Sequence, residues 1–81
     1  MTITPAQIRG ARGMLRLLQG ELAEAAGLTP KAMNSIETEA AKPRPATLER
    51  IRSVLEGRGV VFFDSHEGRG VMLKDAPTQL S

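Results

Sequence analysis

Residues 19–38 constrain this chain more than any other stretch. Leu22, Ala23 and Ala26 recur at helical spacing, and Gly27 stops them. Thr29-Pro30 then opens a second helix: an N-cap residue stands ahead of a proline that needs no N–H, and Met33 and Ile36 lie on the buried side. Two short helices joined this tightly have few ways to pack. Ala23 stands where they must cross closely, and a larger side chain would push them apart. Gly27 stands where the chain reverses, and only glycine takes a positive φ there without cost. Leu22, Ala26, Leu28, Met33 and Ile36 form the apolar set that fixes the angle. The spacing predicts a helix-turn-helix, whose second helix is free to lie in a major groove.

Other helices frame this pair. Thr4-Pro5 predicts a first helix over 5–17, with Ile8, Ala11, Leu15 and Leu18 at helical spacing. Lys42-Pro43-Arg44-Pro45 cannot continue a helix and reads as an extended connection. A fourth helix follows, with Thr47 as its expected cap and Leu48, Ile51, Val54 and Leu55 on one side. Glu56-Gly57-Arg58-Gly59 ends it. The texture then changes: Val60 to Phe63 is β-branched and aromatic, Asp64 to Gly70 is turn chemistry, and Val71-Met72-Leu73 is apolar again. That predicts a hairpin with a long loop. The expected division is therefore a helical domain over 1–57, a two-stranded β extension over 58–74 and a frayed tail over 75–81.

Composition removes most other function classes. At 81 residues the chain makes one small domain with a marginal core, so burial against a second copy is expected. With no cysteine, disulfides and thiolate metal sites are out. With no Trp or Tyr, a stacking platform for single-stranded bases is hard to build. The run Gly59-Val-Val-Phe-Phe is far too short to span a membrane, and the N-terminus lacks a signal-peptide pattern. A cytoplasmic location is the expectation. The formal charge is +2, and the whole surplus sits in residues 1–44. That permits nucleic-acid binding without arguing for it. His66 between Asp64 and Glu67 reads as a solvated turn, since no second cluster completes a metal site. No serine has a partner histidine in an elbow motif, and the glycine pairs around Arg58 and Arg69 lack the Lys-Ser/Thr of a phosphate loop. No catalytic residue, metal or cofactor is expected.

The segment Gln19-x-x-Leu22-Ala23-x-x-Ala26-Gly27-Leu28-Thr29, followed by Ile36-Glu37 and then Pro43-x-x-x-Thr47-Leu48, resembles the Xre/Cro-like transcriptional regulators. The resemblance spans about residues 5–57. The ending, Gly-Val-Val-Phe-Phe-Asp and then Gly-Val-Met-Leu-Lys, is similar to a subgroup of small bacterial regulators that replace the usual fifth helix by strands. The implied fold is mainly α: a four-helix Cro/repressor-like domain with a C-terminal two-stranded extension. The implied function is a transcription regulator that binds double-stranded DNA sequence-specifically. By analogy, it also controls its own promoter.

On this reading the third helix is the reader, and its exposed residues are Thr29, Pro30, Lys31, Asn34, Ser35 and Thr38. Lysine donates to guanine O6/N7, and asparagine pairs bidentately with adenine. The resemblance implies a phosphate contact for Gln19. It also implies that an arginine on the first helix, here Arg12, pairs with the glutamate ending the third, here Glu37. Lys42 and Arg44 flank the prolines and are candidates for gripping the backbone. Arg9 and Arg16 share the side of Arg12 and are as readily read as solvated. The chain departs from the family pattern at three places. Leu18 stands at an N-cap usually held by Ser or Asn, Glu39 at a usual Gly, and Ala40-Ala41 where basic residues often meet phosphate.

Alternation in the first strand puts Val60 and Phe62 on one side and Val61 and Phe63 on the other, so both faces are apolar. One face is expected to cover the helices, chiefly the fourth. Val60, Val61, Phe62, Phe63, Val71, Met72 and Leu73 form the expected dimer interface, which would set two reading helices about 34 Å apart on an inverted repeat. The expected partners are double-stranded DNA and a second copy, with RNA polymerase or a protein antagonist beyond them. The competing class is an antitoxin or antagonist module whose strands bind a foreign protein.

Overall fold

The computed structural model describes residues 2–74. Four helices, α1 (Pro5–Leu15), α2 (Gln19–Ala25), α3 (Pro30–Glu37) and α4 (Pro45–Gly57), precede two strands, β1 (Val60–Ser65) and β2 (Gly68–Leu73). The tail over 75–81 lies outside the described residues.

Each boundary has a local cause. Thr4 caps α1 with its side chain on the Gln7 N–H at 3.1 Å, and Gln7 Oε1 accepts from the Thr4 N–H at 2.9 Å. The helix stops at Leu15, two residues short of the expected end, because Arg16 takes φ +53. That turn drops Leu17 into the core. Gly27 takes φ +72, and the Leu28 N–H bonds the Ala23 carbonyl at 2.8 Å, reversing the chain. Thr29 caps α3 through its hydroxyl, which accepts from the Ala32 N–H at 3.1 Å. The fourth helix begins at Pro45, with Arg44 rather than Thr47 at the cap, since a proline at the first helical position needs no N–H.

The fully buried side chains Ile8, Leu22, Met33, Ile51, Leu55 and Val60 draw on all four helices and β1. The fold is thus a mixture of α and β elements sharing one core. The hairpin is tighter than expected. Its strands run in register from Val60↔Leu73 to Ser65↔Gly68, leaving only His66 and Glu67 as the loop. Asp64 and Arg69 extend the ladder as facing partners with a 3.7 Å ion pair. Gly70 carries no side chain and lies under the Phe63 ring. Residues read as turn chemistry therefore pair instead.

The hairpin's inner face is taken up by the chain itself. Val60 and Phe62 are buried in the core, and Val71 is half-buried, with its Cγ2 against Gly10. Val60 and Phe62 are therefore not available to an interface between chains, contrary to expectation, and Val71 is so only in part. Contact with the helices is shared: β1 packs on α4, and β2 packs on α1 rather than on the fourth helix. Gln7, buried in α1, donates from Nε2 to the Gly70 carbonyl at 2.9 Å and to the Phe63 carbonyl at 3.3 Å. Val61, half-buried, and exposed Phe63, Met72 and Leu73 are what the strands leave outside.

Candidate nucleic-acid interface

The position of α3 is set by its last residue. Glu37 is charged, yet its side chain is 2% exposed. Such a group is tolerated only when its oxygens are satisfied. Arg12 meets it as a fork, with Nε on Oε2 and Nη2 on Oε1, both at 2.8 Å. The third arm of the guanidinium, Nη1, donates to the Leu17 carbonyl at 2.9 Å. Bidentate, charge-assisted bonds of this kind fix angle as well as distance. Gln19 adds an Nε2 donor to Glu37 Oε1 at 3.3 Å. Arg9 Nη1 donates to the Glu37 backbone carbonyl and lies 3.8 Å from Glu39. One residue of α3 is thereby tied to two positions on α1 and one on α2.

With Met33, Ile36 and Glu37 turned inward, the opposite side of α3 is left to solvent. Lys31, Asn34 and Thr38 are exposed there, and Ser35 is half-buried. Their spacing of three and four residues makes one stripe. Thr38 donates its hydroxyl to the Asn34 carbonyl at 2.8 Å, so its own side chain is partly engaged. Thr29 and Pro30 are exposed at the head of the helix.

Beside this stripe runs a groove between α3 and the connection to α4. Thr29, Lys31, Ser35, Lys42 and Arg44 line it, over an apolar floor that includes Leu28, Ile36 and Pro43. Three cations border the groove, and no carboxylate lines it among the described residues. The structure therefore gathers Thr29, Lys31 and Ser35 with Lys42 and Arg44 around one groove, whereas Pro30, Asn34 and Thr38 do not line it. Gln19 stands apart from the groove and spends one of its two amide hydrogens on Glu37.

Two features escaped the sequence. Arg9 is anchored to α3 rather than free in solvent; its spacing of three from Arg12 is the signal that both reach the same helix end. Gln7 bridges α1 to the hairpin. Thr4-x-x-Gln7 is readable as a capping box, but nothing local shows that the spare amide would reach β1 and β2. Among the described residues, no group of His, Cys, Asp and Glu is placed to hold a metal ion, and no helix is long and apolar enough to cross a membrane. No family profile matches the chain, and no curated protein matches it.

Proposed function

We propose that this chain is a transcription regulator of the Xre/Cro-like helix-turn-helix type. On this reading it binds double-stranded DNA sequence-specifically as a homodimer on an inverted repeat, acts in the cytoplasm and has no catalytic role. One observation carries the reading: the side of α3 turned away from the core presents Lys31, Asn34 and Ser35 beside a groove whose charged lining residues, among those described, are all cations. Lys31 and Asn34 have the chemistry to read purine edges. Lys42 and Arg44, one on each side of Pro43, have the charge and reach for phosphates. Glu37 and its partners hold the helix at a fixed angle, which base readout needs, because a tilting reader loses its hydrogen bonds.

The test is selection of a site from a random duplex pool, followed by fluorescence anisotropy at fixed salt. Lys31→Ala and Asn34→Ala each lower affinity for the selected site by about 1–3 kcal/mol, with little change for unrelated DNA. Lys42→Ala and Arg44→Ala weaken both and flatten the salt slope by about 0.9 each. Failure to enrich any sequence overturns the proposal, as does unchanged specificity in both α3 variants.

A further inference from the structure

We propose that the cavity between the entry to α1, the α3–α4 connection and the head of α4 binds a free α-amino acid with a large apolar side chain. The ligand's ammonium meets Glu39, its carboxylate meets Lys42, and its side chain lies against the apolar wall. The site is separate from the α3 groove, although Ala41, Lys42 and Pro43 line both. A carboxylate held by Lys42 withdraws that cation from the groove. This consequence rests on the preceding reading, whereas the binding test uses no DNA, so the two fail separately.

The wall is apolar and formed in advance. Ile3 and Pro5 come from the entry to α1, Ala40 and Pro43 from the connection, and Leu48 from the first turns of α4. Each stretch is held by its own hydrogen bonds. Thr4 and Gln7 box the start of α1. In the connection, the Glu39 N–H donates to the Ile36 carbonyl and the Ala41 N–H to the Ser35 carbonyl, both at 3.1 Å. The Leu48 N–H donates to the Arg44 carbonyl at 3.2 Å. The hollow measures about 620 Å³, inside the range of roughly 300–1,000 Å³ that small-molecule sites occupy. Alanines at 40 and 41 help to leave it open, since neither side chain extends beyond Cβ. A site that needs no rearrangement loses less on binding.

Charge selects the ligand class. Among the described residues, the charged groups lining the cavity are one carboxylate and one ammonium, three positions apart. A simple acid would suit Lys42 and be repelled by Glu39; a simple amine would do the reverse. A zwitterion suits both. Backbone strain singles out Glu39. It holds φ +64, a left-handed conformation that glycine takes freely and glutamate does not. Its side chain is 66% exposed, so packing does not explain the residue. Strain of this kind collects at ligand-binding positions. Arg9 Nη1 stands 3.8 Å from Glu39 Oε2, and a carboxylate has acceptor sites to spare for an ammonium.

The test is a titration of the intact, ¹⁵N-labelled chain by NMR, with no DNA present. L-leucine shifts the amides of Ile3, Glu39, Ala41 and Leu48 together and saturates with a midpoint of about 1 mM. Isocaproate and isoamylamine keep the apolar body and one charge each, and both bind about tenfold more weakly or worse. Glu39→Gln and Lys42→Gln change exposed side chains, so the fold is kept. Each weakens leucine by about threefold or more. Glu39→Gln does not weaken isocaproate, and Lys42→Gln does not weaken isoamylamine, because in each case the repelling charge is gone. Three results each overturn the proposal. Leucine gives no saturable shift at these amides up to about 20 mM, either half-ligand binds as tightly as leucine, or both variants bind leucine as the parent does.

Discussion

Removing Arg12 and Glu37 separately, and then together, measures what holds α3. Arg12→Met deletes both bonds of the fork and the bond to Leu17. The Glu37 carboxylate is then left buried, with Gln19 at 3.3 Å as its remaining side-chain donor among the described residues. Stranding a fully buried charge costs about 3–5 kcal/mol. The Arg12 side chain is 23% exposed, so water enters its vacated place, and the expected cost falls to about 2–4 kcal/mol. Glu37→Gln keeps the shape and one acceptor and leaves a guanidinium already in touch with solvent. Its cost is about 1–2 kcal/mol. The double variant strands no charge, so it costs less than the sum, with a coupling of about 1–3 kcal/mol. Urea unfolding followed by far-UV circular dichroism gives all three values; with no Trp or Tyr, the helices are the natural probe. Additivity within about 0.5 kcal/mol would refute the coupling. Equal costs for the two single variants would refute the burial argument.

Two left-handed positions should respond with opposite signs. Gly27→Ala forces an alanine to φ +72, where its Cβ would meet only Arg50 Nη1, at 3.9 Å; the cost is conformational, about 1–2 kcal/mol in urea unfolding. Glu39→Gly relieves φ +64 and gives up only a 3.8 Å pair between exposed groups, so stability rises by about 0.5–1 kcal/mol; a fall would show that the Arg9 contact outweighs the strain. At the start of α2, Leu18 has no acceptor to offer, although Glu21 accepts from its N–H at 2.8 Å. Leu18→Ser supplies the missing cap and removes an exposed leucine, raising the melting midpoint by an increment worth about 1 kcal/mol.

The α2–α3 turn was legible because its residues act locally. Ala23, Gly27 and Thr29-Pro30 each do one conformational job within a few positions. The Arg12–Glu37 pair was reached through the family resemblance, and the geometry puts the two groups in contact. The hairpin was legible in kind but not in extent. Asp64, Gly68 and Gly70 have the composition of a turn, and only cross-strand partners such as Arg69 and the Phe63 ring keep them in the ladder. The assignment of Val60 and Phe62 to an interface between chains failed for a related reason. Alternation shows that a strand has two apolar faces, but not which one the helices of the same chain will claim. Gln7 and Arg9 were invisible in their roles because each acts on a backbone carbonyl 28 or more residues away.

On α3, the residues that anchor the helix and those that it displays are separate sets. Met33, Ile36 and Glu37 face inward, and Lys31 and Asn34 are exposed. Surface changes remote from such anchors usually alter stability by no more than about 0.5 kcal/mol. The displayed set is therefore free to drift. A lineage carrying this chain can exchange Lys31 and Asn34 for other polar side chains, acquiring new surface chemistry without first repairing its core, whereas any change at Glu37 must be matched at Arg12.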